Sequence, residues 1–310
     1  MRVFLTGGSG VLGQRLIPHL RAAGHDVVAT ARSAAGMERI RALGAQGLTL
    51  DLLDPQAVRR AVLDVRPEAI LHEATALAGG TDFRRFDRTF YVTNLLRTQG
   101  TDNLLAAARE AGTQRFLAQS FAGWPYAREG GPVKTEEDPL DPHPAASMRE
   151  TLDAIRHLER VVTQAEGIVL RYGFFYGDPS DVQLAAVRKR QLPLVGNGGG
   201  IWSFIHLEDA AAGTVLALER GQPGIYNIVD DEPAPVREWL PVLASAAGAK
   251  PPLHIPTWLG RLLGGESVVL MMTQIRGASN AKAKRELGWT LRYPSWRQGF
   301  PASYATPVPA

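Results

Sequence analysis

Three glycines near the start of the chain have the spacing of a phosphate-binding turn. Gly7, Gly10 and Gly13 are three residues apart, in the pattern T-G-x-x-G-x-x-G. Glycines at such positions allow a tight turn, a close approach of the backbone to a pyrophosphate, and close packing of the following helix. The backbone N–H groups of Val11 and Leu12, at the start of that helix, would face the phosphates. We therefore predict that these five residues bind a dinucleotide.

The residues that follow the second predicted strand indicate which dinucleotide binds. An acidic residue about 20 residues after the glycines would bind the ribose 2′-hydroxyl of NAD. This strand has Asp26 at its start and is followed by Arg32 and Ser33, so that no acid stands at its end. A guanidinium binds a phosphate through two parallel hydrogen bonds. Arg32 therefore favours NADP, and NAD stays open as the alternative if Arg32 only stacks on the adenine or is solvated.

Two hydroxyl side chains are candidates for chemistry on a substrate. Ser120 ends a predicted strand, and Tyr126 lies six residues later in a proline-rich loop that also contains Lys134. We predict that Ser120 hydrogen-bonds the reacting oxygen of a substrate and that Tyr126 contacts the substrate and supplies a proton. A positioned general acid contributes about 10²–10⁴ in rate. The competing interpretation is that Tyr126 is an aromatic residue packed within the loop and that Lys134 is solvated.

Strands and helices alternate along the chain in a way that would position these residues. The apolar pattern predicts short strands at 2–5, 25–30, 48–50, 69–72, 115–120, 167–171, 201–205 and 224–229. Helical patterns lie between them, at 14–20, 37–43, 57–65, 85–111, 148–163 and 208–219. This alternation is typical of the α/β class, with a Rossmann-type doubly wound parallel sheet. Ligands of such sheets bind at the carboxyl ends of the strands.

The domain organisation follows from where this alternation stops. We predict a dinucleotide-binding domain over 1–178, to which 201–230 returns, and a smaller C-terminal α/β substrate-binding domain made of 179–200 and 231–300. The last segment, 301–310, is predicted to be a tail. The segment 231–300 contains four tryptophans, which favour an apolar or aromatic substrate; they are Trp239, Trp258, Trp289 and Trp296.

Composition excludes several classes of function. The chain has 310 residues, 45% of them hydrophobic and 21% charged, with a formal net charge of +3 and no cysteine. The absence of cysteine excludes disulfides, a cysteine nucleophile and cysteine-ligated metals. Basic residues are scattered, which argues against a nucleic-acid partner, and no apolar run is long enough for a membrane span. We predict a cytoplasmic enzyme with a small-molecule substrate and without a metal, and the sequence also allows a homodimer.

Further motifs give the chain a resemblance to a known superfamily. Their order and spacing are similar to those of the extended short-chain dehydrogenase/reductase superfamily, which includes sugar-nucleotide epimerases and dehydratases. The segments that carry the resemblance are Asp51-Leu52, L-H-E-A-T-A at 71–76, G-T-D-N-L-L-A-A-A at 100–108, Leu170-Arg171 with Tyr176-Gly177, and W-S-F-I-H-L-E-D-A-A at 202–211.

The resemblance implies roles for individual residues. Asp51 and Leu52 would lie beside the adenine. The superfamily's catalytic serine corresponds to Ser120, which would also lie near the cofactor. The remaining expected contacts with the cofactor are Ala74, Thr75, Ala76 and Tyr172. The residues expected to line the substrate cleft, besides Tyr126, are Tyr176, Trp202 and His206.

The chain departs from this superfamily at its reaction centre. A Tyr-x-x-x-Lys pair is expected on the helix at 148–163, where the lysine lowers the pKa of the tyrosine and holds the nicotinamide ribose. If Glu159 corresponds to the superfamily's downstream glutamate, Thr151 occupies the tyrosine position and Ile155 the lysine position. No lysine occurs between Lys134 and Lys189. The usual proton relay is therefore absent, and the Thr151 hydroxyl is a further candidate for its work.

Three functions are compatible with these observations. The first is an NAD(P)-dependent oxidoreductase that transfers a hydride to or from a small organic substrate. The second is a sugar-nucleotide epimerase or dehydratase, although such enzymes need the missing pair. The third is a non-catalytic sensor that binds NADP.

Overall fold

The computed structural model describes residues 1–77, 82–178 and 182–304. Its strands, numbered in chain order, are β1 (Arg2–Thr6), β2 (Asp26–Ala31), β3 (Gln46–Thr49), β4 (Ala69–His72), β5 (Arg115–Phe121), β6 (Val133–Lys134), β7 (Ile168–Tyr172), β8 (Phe174–Tyr176), β9 (Leu194–Val195), β10 (Ile201–Trp202), β11 (Phe204–His206), β12 (Gly224–Ile228), β13 (Ala234–Pro235), β14 (His254–Ile255) and β15 (Gly277–Ala278).

The helices, numbered in the same way, are α1 (Gly13–Ala22), α2 (Ala34–Ala42), α3 (Pro55–Val65), α4 (Phe86–Leu95), α5 (Thr101–Ala111), α6 (Arg149–Gln164), α7 (Val182–Arg188), α8 (Leu207–Arg220), α9 (Val236–Ala246), α10 (Thr257–Thr273), α11 (Ala281–Leu287) and α12 (Trp296–Tyr304). None of the helices within the described ranges combines the length and the apolar character that a membrane crossing requires.

Seven strands form a central parallel sheet in the order β12-β7-β5-β4-β1-β2-β3. The strand order reverses between β1 and β4, so the carboxyl ends of these two strands border a crevice. This is the doubly wound Rossmann arrangement, and the predicted fold class is confirmed. The glycine turn follows β1 directly and therefore lies beside this crevice.

Apolar side chains cover both faces of the central sheet. On one face, α1 and α8 pack on the strands through residues such as Leu16 and Leu218. On the other face, α3, α5 and α6 contribute Val58, Leu104 and Leu158 to a second cluster. A parallel sheet covered by helices on both faces has strands that are apolar along their whole length. For this reason, short apolar runs were sufficient to predict the strands.

A third apolar cluster lies in the later part of the chain and includes Trp202, Trp239 and Trp296. Two of the other tryptophans behave differently, because Trp289 packs with the central sheet and Trp258 is exposed. The predicted tail also needs correction. Residues 301–304 belong to α12, and the Tyr304 side chain is buried, so only 305–310 remain as a candidate tail; these lie outside the described residues.

Two predicted elements differ from the structure in ways that affect the site. The predicted helix over 85–111 is interrupted by a π-helical turn, Leu96–Gly100, between α4 and α5. The predicted strand near 201–205 consists of the short strands β10 and β11, which pair with β13 and β8 and lie outside the central sheet. π turns occur frequently at functional sites.

Candidate active site

The glycine turn has a backbone that larger residues would disrupt. Gly7 has a φ of +75°, and a Cβ atom there would lie 2.7 Å from the carbonyl oxygen of Glu73. A Cβ atom on Gly13 would overlap the carbonyl oxygen of Gly7. Gly10 differs, because a Cβ atom there would meet only the Gly7 carbonyl oxygen, at 3.2 Å. Gly7 and Gly13 thus allow the close backbone packing of the turn, and the absence of a side chain at Gly10 leaves the outer surface of the turn open.

The N-terminus of α1 is available to a ligand. Within the described residues, no side chain caps this end of the helix, and the Val11 side chain is exposed beside it. The unpaired N–H groups and the helix dipole of such a terminus attract anions. Leu12 is buried and fixes the start of the helix in the core. The turn thus offers an open helix terminus to an anion, and the pyrophosphate contacts predicted for Gly7, Gly10, Val11, Leu12 and Gly13 stay a prediction.

Arg32 directly follows the end of β2, and its side chain is exposed. The described residues give its guanidinium no hydrogen bond or ion pair, whereas Ser33 caps α2 by accepting a bond from the Gly36 N–H at 3.1 Å. Asp51 accepts a hydrogen bond from the Leu53 N–H at 3.0 Å, and Leu52 is buried. The guanidinium is free to bind a ligand phosphate, and the predicted adenine contact of Asp51 and Leu52 stays a prediction.

The segment after β4 lies against the glycine turn. The Cα atom of Ala74 would be 2.9 Å from a Cβ atom on Gly7. The Ala76 N–H donates to the hydroxyl of Thr93 at 3.0 Å, and Ala74, Thr75 and Ala76 are half-buried. The structure thus brings these three residues to the crevice, where their predicted contact with the cofactor stays a prediction.

Ser120 and Tyr126 belong to a buried polar network. The Ser120 hydroxyl donates to Glu159 at 2.7 Å, and Arg171 donates twice to the same carboxylate, at 2.7 and 2.6 Å. Arg171 also donates to the Tyr126 hydroxyl at 3.1 Å, and this hydroxyl donates to the Asn227 side-chain oxygen at 2.6 Å. The network joins β5, α6, β7 and β12 beneath the crevice.

The position of Tyr126 differs from the prediction that it contacts a substrate and supplies a proton. Its side chain is 1% exposed, and burial raises the pKa of its hydroxyl to about 12, although the neighbouring Arg171 charge opposes this. A phenol that is shielded from solvent and already bonded to two protein groups is poorly placed for proton transfer. The competing interpretation, a packed loop aromatic, describes its surroundings. Ser120 is likewise 1% exposed, with its hydroxyl committed to Glu159.

We expect Tyr126→Phe to change stability rather than turnover. Removal of the hydroxyl leaves the Asn227 oxygen and one Arg171 N–H unpaired, which costs about 1–3 kcal/mol in the free energy of unfolding. Chemical denaturation measures this loss, and Tyr293→Phe is the matched control because the Tyr293 side chain is half-buried and its hydroxyl has no hydrogen bond among the described residues. A large fall in turnover at unchanged stability would restore Tyr126 as the proton donor.

The Thr151 hydroxyl is hydrogen-bonded to a carboxylate and is not open to the crevice. Its hydroxyl donates to Asp87 at 2.6 Å and accepts from the Asn94 amide at 3.0 Å. Asp87 also accepts the N–H groups of Glu150 and Thr151, at 3.1 and 2.9 Å, and so caps α6. The Thr151 side chain is fully buried, and so is Ile155 one turn later. The helix face that would carry the tyrosine and lysine therefore presents a capped threonine and a hydrocarbon.

Tyr172 is the last residue of β7, and its side chain is buried rather than exposed at the end of the sheet. Its hydroxyl donates to Glu73 at 3.1 Å and lies 2.6 Å from the Thr214 hydroxyl. Burial raises the pKa of Tyr172, and burial also raises the pKa of Glu73, to about 8. The Tyr172 side chain is thus buried against Glu73. It has no exposed surface that could make the predicted contact with the cofactor. Sequence reasoning did not single out Glu73.

The three other predicted substrate contacts are also packed inside the protein. The Trp202 ring donates to the Met271 carbonyl at 2.9 Å. The Tyr176 ring lies edge-on to Phe300, at 5.1 Å. His206 caps α8 by accepting from the Glu208 N–H at 3.1 Å, and burial lowers the pKa of His206 to about 4. All three side chains pack in the second half of the chain, and their predicted place in the substrate cleft stays a prediction.

Two half-buried phenylalanines, one at the end of a strand and one within a strand, were missed by the sequence analysis. Phe121 ends β5, with its ring 4.9 Å from Phe174, and Phe175 lies in β8, with its ring 5.3 Å from Tyr172. Apolar residues in such positions give no signal that separates them from core residues. They favour an apolar or aromatic substrate beside the crevice.

Comparisons with known proteins agree with this geometry. The model of the NAD dependent epimerase/dehydratase family matches residues 3–229. A 3-diazoavenalumate denitrifying reductase from a Streptomyces species is 40% identical over 315 residues, which cover 97% of this chain and 99% of the relative. A 4-hydroxy-2-methyl-3-oxo-4-farnesyl-3,4-dihydroquinoline-1-oxide ketoreductase from Stigmatella aurantiaca is 30% identical, with coverage of 97% and 95%.

Solved structures show the same fold. The UDP-glucose 4-epimerase of Thermus thermophilus, solved as a complex with NAD, has a TM-score of 0.73 and 26% identity, and the match covers 98% of both chains. The predicted resemblance is confirmed, and so is the prediction of an oxidoreductase-type enzyme, because two of the similar proteins are named reductases. The chain belongs to the NAD dependent epimerase/dehydratase family, within the extended short-chain dehydrogenase/reductase superfamily.

Proposed function

We propose that the protein is an NADPH-dependent reductase whose substrate accepts a hydride without a proton from the protein. One observation carries this proposal: every hydroxyl predicted to act as a donor is buried and committed to a protein partner. Ser120 donates to Glu159, Tyr126 to Asn227, and Thr151 to Asp87. Hydride transfer to an activated acceptor depends on positioning and requires no strong acid.

The residues around the crevice would hold the cofactor in three ways. The glycine turn and the start of α1 would bind the pyrophosphate, and Arg32 would bind the 2′-phosphate. Ala74, Thr75 and Ala76 would support the cofactor from below. When bound, the reduced cofactor supplies the hydride. This part of the proposal rests on the exposed, unpaired guanidinium of Arg32 and the open surface of Gly10.

The proposed substrate class is an activated aromatic acceptor, such as a diazo-bearing carboxylate. The support is the 40% identical reductase named for 3-diazoavenalumate. In such a reaction, a C–H bond forms from the hydride and its electron pair, and the C–N bond breaks, with its electron pair leaving in N₂. When the acceptor is an arenediazonium ion, its positive charge and the negative charge of the hydride cancel, so that no proton is taken up. The missing Tyr-x-x-x-Lys pair therefore does not prevent this chemistry.

A direct assay tests the proposal against the epimerase alternative. The purified protein is incubated with NADPH and an arenediazonium carboxylate, or with UDP-glucose. We expect one equivalent each of NADPH oxidised and N₂ released with the diazonium compound, and no change with UDP-glucose. Epimerisation of UDP-glucose by protein-bound NAD would instead favour the alternative that the 26% identical structural relative suggests. Binding of NADPH without any turnover would favour the non-catalytic sensor.

Arg32 gives a prediction about cofactor choice. A charge-assisted phosphate contact contributes roughly 1.5–3 kcal/mol, so Arg32→Ala should move the preference for NADPH over NADH by about ten- to a hundredfold. Titration with both cofactors measures the preference. Arg39→Ala is the control, because Arg39 is an exposed arginine in α2. Equal effects of Arg32→Ala on both cofactors would show that this residue does not bind the 2′-phosphate.

We also infer a cytoplasmic homodimer. The support for the dimer is an exposed apolar pair on α4, since Tyr91 is 58% and Val92 37% exposed. Sedimentation of the wild type and of a Val92→Asp variant tests it. A dimer that the substitution dissociates is expected, and a monomeric wild type would contradict this assembly.

A further inference from the structure

Arg97 is a buried cation whose guanidinium has no hydrogen-bond partner among the described residues. It lies in the π-helical turn between α4 and α5, and its side chain is 7% exposed. Its Nη1 atom is buried, and no residue in the described ranges accepts a hydrogen bond from it. The nearest aromatic contact is the Phe90 ring, whose centroid is 5.7 Å from the guanidinium carbon. A buried charged group that lacks a partner is costly, and its presence in a native fold requires an explanation.

The surroundings place Arg97 at the carboxyl ends of β4 and β5. His72, the last residue of β4, lies against the residue before Arg97, since its Nε2 atom is 3.2 Å from the Leu96 carbonyl oxygen. Burial and the neighbouring Arg97 charge together lower the pKa of His72 to about 4, although the bond with the Leu96 carbonyl opposes this. Glu159 is also close enough to raise the pKa of Arg97, and it binds Ser120 in β5. Arg97 therefore borders the crevice on the side of these two strands.

Glu159 does not neutralise Arg97 by contact. Both of its oxygens are occupied, because Arg171 donates to each of them and Ser120 donates to one. Burial lowers the pKa of Arg97 to about 10, so the guanidinium stays charged at neutral pH. Its free N–H groups are consequently available to oxygen atoms of a ligand.

The facing surface of α6 explains why the Arg97 guanidinium lacks a polar partner there. Residues three apart on a helix lie on the same face, so Asn94, which donates to Thr151, and Arg97 both face α6. Thr151, Ile155 and Glu159 are four residues apart and also share a face. Asn94 donates a hydrogen bond to Thr151, and Arg97 interacts electrostatically with Glu159. Ile155 lies between these two points and offers no polar group.

We propose that Arg97 binds the ribose oxygens of the nicotinamide half of the cofactor. The proposal rests on the proposed function. With Arg32 at the 2′-phosphate and the glycine turn at the pyrophosphate, the second nucleoside of a dinucleotide extends across the crevice towards β4 and β5. Within the part of the chain that the structure describes, Arg97 is a donor at that end without a hydrogen-bond partner. Ile155 stands in α6 at the position where the superfamily has a lysine. Arg97 thus supplies, from the turn between α4 and α5, the positive charge that is missing at that position.

Calorimetric titration with a whole and a half ligand tests this assignment. NADPH contains the nicotinamide ribose, and 2′,5′-ADP contains only the adenosine half. Arg97→Met should weaken NADPH binding by roughly ten- to a hundredfold and leave 2′,5′-ADP binding within about twofold. Arg97→Lys should recover part of the loss. Arg109→Met is the matched control, because Arg109 is an exposed arginine in α5.

A second measurement separates ligand binding from a structural role. Because Arg97→Met removes an unpaired buried charge, the melting temperature of the ligand-free protein should stay the same or rise. Equal weakening of both ligands, a loss of ligand-free stability, or unchanged NADPH binding would overturn the assignment. If the Arg97→Met variant binds NADPH normally but turns over less substrate, Arg97 binds the substrate instead. Failure of the wild type to bind either ligand would contradict the proposed function itself.

Discussion

Gly10→Val is expected to abolish cofactor binding while the protein remains folded. A Cβ atom at Gly10 meets only the Gly7 carbonyl oxygen, at 3.2 Å, and the residue is exposed. The branched side chain would then stand over the start of α1, where the pyrophosphate is expected. The side chain would exclude the pyrophosphate sterically and remove its contacts with the helix terminus. NADPH binding should therefore weaken by at least about a hundredfold, which corresponds to roughly 2.8 kcal/mol.

Two other glycine substitutions serve as controls for this experiment. Gly131→Val changes an exposed loop glycine with an open environment, and it should bind NADPH normally. Gly13→Val should lower the melting temperature, because its Cβ atom would overlap the Gly7 carbonyl oxygen. Calorimetric titration and thermal unfolding of the three variants give the result. Unchanged NADPH affinity in folded Gly10→Val would show that the phosphates bind elsewhere.

Glu73 should make the stability of the protein fall as the pH rises. Burial raises the pKa of this carboxyl to about 8 in the folded state, while its ordinary value is 4.5. Between these two values, the folded state keeps a proton that the unfolded state has lost. The free energy of unfolding therefore falls by about 1.4 kcal/mol for each pH unit, and the total loss across the window is about 5 kcal/mol.

Glu73→Gln isolates this contribution, because glutamine has nearly the shape of the protonated carboxyl. The Tyr172 hydroxyl, 3.1 Å from Glu73, and the Gln119 amide, 3.1 Å from its other oxygen, can still pair with it. Urea unfolding at several pH values should show equal stability of wild type and variant near pH 4.5 and a more stable variant near pH 8. The exposed Glu137→Gln is the control. A wild type that is as stable as Glu73→Gln at both pH values would refute a protonated Glu73.

The sequence was informative where a local pattern determines the structure. The central strands could be predicted because each is an apolar run that is buried on both faces, and the glycine turn because its backbone conformation requires glycine. Elements outside the central sheet were less predictable. The segment near 201–205 is apolar like a core strand, but its pairing with β13 and β8 depends on residues far away in the chain. Helix α12 was missed because its burial depends on the third apolar cluster.

The candidate site shows the same limit. The sequence revealed that Tyr-x-x-x-Lys is absent and that Arg32 stands where an acid is usual. It could not show that the Tyr126 hydroxyl is enclosed, because the partners Arg171 and Asn227 lie 45 and 101 residues away. Arg97 gave no signal either, since one arginine in a helical pattern resembles any exposed charge. Its lack of a partner becomes visible only when α6 is packed against it.

The central claim is that the protein transfers a hydride from the nicotinamide cofactor without a proton from its own side chains. The most direct test is mass spectrometry of the product formed from an arenediazonium carboxylate and NADPH that carries two deuterium atoms at C4, in ordinary water. We expect one deuterium at the carbon that carried the diazo group, and no deuterium there when unlabelled NADPH is used in D₂O. A product hydrogen that comes from the solvent would contradict it.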